Sequence, residues 1–148
     1  MKCSDECVNA IKEFEGLRLD AYVCPGGLWT IGYGHTGNDV VPGMRITEER
    51  AEELLRADLR FTELWVQNFY PAMRQNQYDA LVSLIYNIGI NAYRTSTLRK
   101  KIDLNAPLAD VEKQWLRWKY AKGKVLPGLE RRRKWEIEQF KKNAPIVH

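Results

Sequence analysis

Apolar residues near the start of the chain recur at helical spacing, with Cys7, Val8, Ile11 and Phe14 on one side of a 3.6-residue repeat. The pattern predicts an amphipathic helix over residues 4–15, closed by Gly16, with Glu15 on its last turn. From residue 17 to 46 the period changes. Gly, Tyr, Thr, Trp and Val dominate, and turn signals stand at Pro25-Gly26-Gly27, Gly37-Asn38-Asp39 and Pro42-Gly43, which predicts a small antiparallel sheet of two or three short strands.

Helical spacing returns after Thr47, a capping residue followed by Glu48 and Glu49, whose charges favour a first turn. Ala51, Leu55, Leu59 and Val66 form the stripe of a long helix that runs to residue 69 and is stopped by Pro71. A second helix opens near Asn76, carries Tyr78, Leu81, Val82, Ile85 and Ile88 on one side, and closes at Gly89; it is apolar enough to be the central core helix. Helical pieces are expected over 92–102, 107–120 and 129–142, separated by Asn105-Ala106-Pro107 and by a turn region over 123–128. The fold class is therefore α+β. We expect one domain over 1–148, with a sheet-bearing lobe over about 15–47 and a helical lobe over about 48–148 that also takes the first helix. A cleft between two such lobes suits an extended substrate.

Composition narrows the class. A chain of 148 residues that is 45% hydrophobic and 28% charged can bury a core without disulfides or metals, and is neither disordered nor fibrous. Lys2, Asp5, Glu6, Lys12 and Glu13 interrupt the first fifteen residues, so no apolar run there resembles a signal peptide or anchor, and synthesis in the cytoplasm is expected. The formal charge of +4 favours an anionic partner. Much of the excess lies in residues 117–148, where ten Lys or Arg face three Glu, although a solvated helix face accounts for such a run equally well. Trp115, Trp118, Tyr120 and Trp135 interleave with these charges, but their helical spacing suits a core and no nucleic-acid motif is present, so no nucleic-acid partner is expected. Cys3, Cys7 and Cys24 are odd in number and lack zinc-site spacing. At least one free thiol is expected, with no metal and no cofactor.

The candidate chemistry lies in the first third. Eight residues separate Glu15, at a helix end, from Cys24 on a turn, and five more separate Cys24 from Thr30 on a strand. Read from the residues alone, a helix end and a hairpin can bring all three to one cleft, yet an exposed Glu and a turn Thr are usually unremarkable.

The run Glu15-Gly16-Leu17-Arg18-Leu19-Asp20-Ala21-Tyr22, followed by Gly27-Leu28-Trp29-Thr30-Ile31-Gly32-Tyr33-Gly34-His35-Thr36, resembles the signature of phage lysozymes, glycoside hydrolase family 24. The likeness continues through residues 77–84 and 86–89, Ser96-Thr97-Leu98, residues 123–129 and Arg131-Arg132, and so covers nearly the whole chain. It implies a lysozyme-like fold and an endolysin that cuts the β-1,4 bond between N-acetylmuramic acid and N-acetylglucosamine in bacterial peptidoglycan. A monomer is the default expectation, and a protein made in the cytoplasm needs another factor to carry it across the inner membrane to a wall target. By the same resemblance Glu15 matches the family's acid and Thr30 its threonine. Cys24 stands where the best-known members have Asp.

Glycosidic cleavage needs a proton for the leaving oxygen and a nucleophile at the anomeric carbon as positive charge develops on the ring. Glu15 is expected to supply the proton, while Cys24 and Thr30 hold or activate the attacking water. A neutral thiol cannot offer the charge of the usual Asp; a thiolate can, given local donors or positive charge. His35 is read as a supporting group or a structural hydrogen-bonder, Trp29 and Tyr33 as sugar-facing or core aromatics, and Arg131 or Arg132 as a partner of Glu15 or of substrate. A disulfide from Cys24 to Cys3 or Cys7 would silence the thiol until reduced. Two other functions remain open at this stage: a lytic transglycosylase, which needs no water-positioning partner, and a non-catalytic peptidoglycan-binding protein.

Overall fold

A computed structural model describes residues 1–143. The chain is α+β, with seven α-helices among the described residues, a three-stranded sheet and a two-stranded one. It divides into two compact units: Lys2 with Ser4–Phe61, and Met1 and Cys3 with the chain from Thr62 onward.

In the first unit, helix α1 (Asp5–Glu15) starts at Ser4, whose side chain accepts from the Cys7 amide, and stops at Gly16, where φ is +75°. Three antiparallel strands follow: β1 (Arg18–Val23), β2 (Trp29–Gly32) and β3 (His35–Thr36), ordered β1-β2-β3. Segment 44–46 backs β1, with Ala21 N donating to Met44 O and Ile46 N to Leu19 O. Ile31, Val40 and Leu54 form the core beneath the sheet, with Ala21, Met44 and Ile46 packed against it. Leu54 belongs to the long helix α2 (Glu48–Phe69), and the boundary between the units falls inside this helix.

Helix α1 lies in the same compact unit as the sheet and the first half of α2. Side chains tie α1 to the first half of α2 through the Lys12–Glu52 and Arg56–Asp5 pairs. Helical sequence alone does not tell which neighbour a helix will choose.

The second unit is built on α3 (Gln75–Ile88), the helix apolar enough to be expected in the core; every residue from Tyr78 to Ile85 is buried, Asp79 and Ser83 among them. It packs on α7 (Pro127–Lys141), which opens with proline in its first turn. The single helix expected over 92–102 is instead two, α4 (Ile90–Arg94) and α5 (Thr97–Asp103), because Ser96 is extended and its hydroxyl caps α5 by accepting from Arg99 N. The piece expected over 107–120 is α6 (Leu108–Leu116) and a 3-10 turn (Arg117–Lys119), kinked at Trp118. A hairpin of β4 (Tyr120–Ala121) and β5 (Lys124–Val125) then turns at Lys122 and Gly123, both at positive φ, the geometry that matches strand twist. Residues 144–148, the end of the basic stretch, lie outside the described residues.

Candidate active site

The hairpin of β1 and β2 carries two of the three candidates. Tyr22 pairs with Thr30 and Val23 with Trp29, so Cys24 opens the connecting loop. Cys24 N donates to Leu28 O at 2.9 Å and Gly27 N to Cys24 O at 2.8 Å, which curls the loop around the sulfur. A Cβ placed on Gly26 would sit 3.7 Å from Cys24 Sγ, so the main chain passes close by it.

That closeness has an electrostatic consequence. A main-chain hydrogen bond at Leu28, then the Thr30 hydroxyl, lower the Cys24 thiol below its usual 9.0; burial works the other way, and Gly26 adds a further, smaller lowering contact. Thr30 itself is buried, and its Oγ1 donates to Leu28 O at 3.0 Å. A hydroxyl has one proton, so this arrangement suits a neutral thiol; when the sulfur ionises, the same rotor can turn its proton to the thiolate.

Glu15 reaches the same unit from another side. It is half-buried at the end of α1, and Oε2 lies 3.6 Å from where a Cβ on Gly34 would stand. Gly34, at φ +90°, belongs to the turn leading from β2 into β3. The carboxylate thus abuts the turn four residues beyond Thr30, and the sequence motif Gly-Tyr-Gly-His leaves that side of it without a side chain.

His35 sits on β3, opposite Ile31. Its Nδ1 is 2.8 Å from Asp58 Oδ2 and its Nε2 3.0 Å from Asp39 Oδ2. Burial disfavours the charged ring, but the hydrogen bonds it donates to Asp58 and Asp39, and the charges of those carboxylates, outweigh it and raise the His35 pKa above 6.5. Both acids escaped the sequence reading. Asp39 was visible only as a turn residue, and Asp58, 23 positions away on α2, bears no local signal at all.

A profile of the phage lysozyme family matches residues 12–136. The chain belongs to that family. The endolysin of Acyrthosiphon pisum secondary endosymbiont phage 1 is 43% identical over 145 residues, covering 95% of this chain and 98% of that one. The endolysin of Bacillus phage PZA is 40% identical over 148 residues, 98% of this chain, but this chain spans only 57% of it. Among solved structures, the muramidase domain of SpmX from Asticaccaulis excentricus superposes with a TM-score of 0.84 at 39% identity, covering 94% of this chain and 97% of that one. The fold is that of the phage lysozymes, and the protein is a glycoside hydrolase of lysozyme type that acts on peptidoglycan.

The remaining candidates of this phage lysozyme fall in different settings. Trp29 is 37% exposed at the hairpin, while Tyr33 is half-buried with Lys12 Nζ 5.8 Å from its ring centre. Arg131 is exposed on α7. Arg132 is buried, donating Nε to Ser83 Oγ at 3.2 Å and Nη2 to Ser83 O at 3.0 Å. Sequence reasoning overlooked its neighbours. Arg133 and Glu136 are fully buried, with Arg133 Nε 2.9 Å from Glu136 Oε1, and Glu136 accepts from Ser83 and from Trp115 Nε1. A basic run read as either an electrostatic footprint or a solvated helix face therefore turns two of its arginines, Arg132 and Arg133, into the core. No disulfide joins the three cysteines; Cys3 and Cys7 are buried and Cys24 is half-exposed. Cys7 is wholly enclosed on α1, so a bond to it requires that helix to leave its packing.

Proposed function

We propose that Glu15 is the catalytic acid of this lysozyme and that Cys24, with Thr30, holds and activates the attacking water. The bond cut is the β-1,4 link from N-acetylmuramic acid to N-acetylglucosamine, with inversion at the anomeric carbon. The observation that carries this reading is the set of donors around Cys24 Sγ, which favours an ionised sulfur at the position where the family's usual carboxylate would stand. A thiolate there can take a proton from water and oppose the positive charge that grows on the sugar ring. Glu15 in turn protonates the leaving oxygen, and the proton removed from water goes to sulfur, so the reaction consumes one water and returns the site after one proton exchange.

We also read the protein as a monomer without a nucleic-acid partner. Trp115, one of the aromatics interleaved with the basic run, is fully buried and packs 5.1 Å from Phe140, which removes it from any phosphate-facing surface. Among the described residues no helix is long and apolar enough to cross a membrane.

The test is digestion of peptidoglycan sacculi followed by mass spectrometry of the soluble fragments. Reducing N-acetylmuramic acid ends are expected, and Glu15→Gln is expected to lose them by roughly 10²–10⁴-fold in rate, the range for removal of a general acid. Anhydro ends, lighter by one water, would replace this reading with a transglycosylase. Product stereochemistry by NMR checks inversion, and an unchanged rate in Cys24→Ala would remove the thiol from the mechanism.

A further inference from the structure

His35 is unusual in having each ring nitrogen on a separate carboxylate. Nδ1 lies 2.8 and 3.0 Å from the two oxygens of Asp58, and Nε2 lies 3.0 and 3.2 Å from those of Asp39. Neutral imidazole has one N–H, so only the doubly protonated ring can donate to both acids at once. The loop is shaped for this contact. A Cβ on Gly37 would come within 2.6 Å of Asp39 Oδ1, so Gly37 leaves room for Asp39 to fold back onto the ring. The side chain of His35 is only 13% exposed, against 27% for Asp58 and 56% for Asp39.

What the clamp holds is short and well placed. Strand β3 has two residues, each paired once to β2: Ile31 with His35 and Thr30 with Thr36. Two pairings are little to keep a strand in register, and the anchoring of His35 to α2 supplies the rest. The residue before it, Gly34, is the one whose Cβ position lies 3.6 Å from Glu15 Oε2. One side chain thus secures the backbone beside the acid and the partner strand of Thr30.

We propose that His35 is a positioning residue for hydrolysis, its imidazolium clamped between Asp39 and Asp58 so that the 33–36 segment stays set against Glu15 and β2. The inference rests on the reading of Glu15 as the acid. The charged groups facing this segment are Asp58 from α2, Asp39 from its own loop, Arg50 of α2, which acts on Asp39, Glu15 from α1, and Lys12 of α1, which lies over the Tyr33 ring and pairs with Glu52 of α2. Loss of the ring proton leaves one carboxylate without its imidazole donor and frees one side of the clamp.

The experiment follows kcat and KM on sacculi against pH, alongside the His35 titration read from imidazole nitrogen NMR shifts. The variants are His35→Asn, Asp39→Asn and Asp58→Asn, and each melting temperature is taken at each pH so that only folded protein is scored. Expected is a fall in kcat at alkaline pH whose midpoint follows the imidazole midpoint from variant to variant, both lower in Asp39→Asn and Asp58→Asn, with KM little changed. In His35→Asn kcat is expected to be on the order of tenfold to a hundredfold lower across the range, the scale of a small misplacement of reacting groups, without the imidazole-linked fall. Wild-type kcat and profile in folded His35→Asn would overturn the proposal. Glu15→Gln run in parallel separates the two readings: if it is inactive while His35→Asn behaves as wild type, only this inference fails, and if it is active, the reading of Glu15 fails first.

Discussion

At the residue scale, the Cys24 thiol is governed by what surrounds it more than by where it lies in sequence. Main-chain contact at Leu28 and the Thr30 hydroxyl favour the thiolate, so alkylation of Cys24 by iodoacetamide, followed against pH, is expected to show a midpoint below 9.0. Thr30→Val removes one of those donors and should move the midpoint upward; an unmoved midpoint would mean the hydroxyl does not reach the sulfur. His35 and Asp39 make a second residue-scale prediction, about stability. The folded pKa of His35 is raised, so its contribution is complete below its unfolded value near 6.5 and is lost as pH rises through the folded value. The Asp39 carboxyl is lowered, chiefly by its hydrogen bond to His35, so its contribution is present above 3.8 and is lost as pH falls through its folded value. Melting temperature should therefore be better sustained between these limits than beyond them, and His35→Asn should flatten the alkaline side.

At the element scale, the boundaries are set by small polar residues whose signals are readable once their geometry is known. Ser4 and Ser96 each cap a helix through the side-chain oxygen. Ser96→Ala should cost about 1 kcal/mol in chemical denaturation, a typical loss for such a cap. Ser96 was legible as part of a family-like triplet but not as a break, because residues 92–102 keep a helical pattern across it. The kink at Trp118 was likewise hidden, since nothing in the local pattern announces a 3-10 turn. By contrast α1, the strands and α2 lie close to their predicted places, where period, turn residues and caps agree.

At the scale of the whole molecule, charge does two opposite jobs. The net +4 should draw the protein to an anionic wall, so its initial binding to sacculi is expected to weaken as salt rises from about 50 to 500 mM, while the melting temperature changes little. Binding insensitive to salt would show that the charge excess plays no part in recognition. Inside the second unit, Glu136 balances Arg132 and Arg133 in a buried group that also engages Ser83, Trp115 and Asn87. Glu136→Gln leaves two buried cations without their anion and should destabilise by about 3–5 kcal/mol in a denaturant titration, far more than a change at exposed Arg131.

The sequence by itself determined the fold class and most of the elements, because these depend on periodicity and turn chemistry, and its resemblance to the phage lysozymes marked out the family and, with it, Glu15, Cys24 and Thr30 as candidates. It also placed helix α3 in a core, since a helix this rich in apolar residues needs a covered face. Only the tertiary structure decided that α1 groups with the sheet, that Asp39 and Asp58 enclose His35, and that a run of arginines turns two of its members inward. Several of those outcomes join residues far apart in the chain, such as His35 with Asp58 at 23 positions and Ser83 with Glu136 at 53. Such pairings follow from which surfaces meet when the chain closes, and a charged side chain reads alike in sequence whether water or a buried counter-ion awaits it.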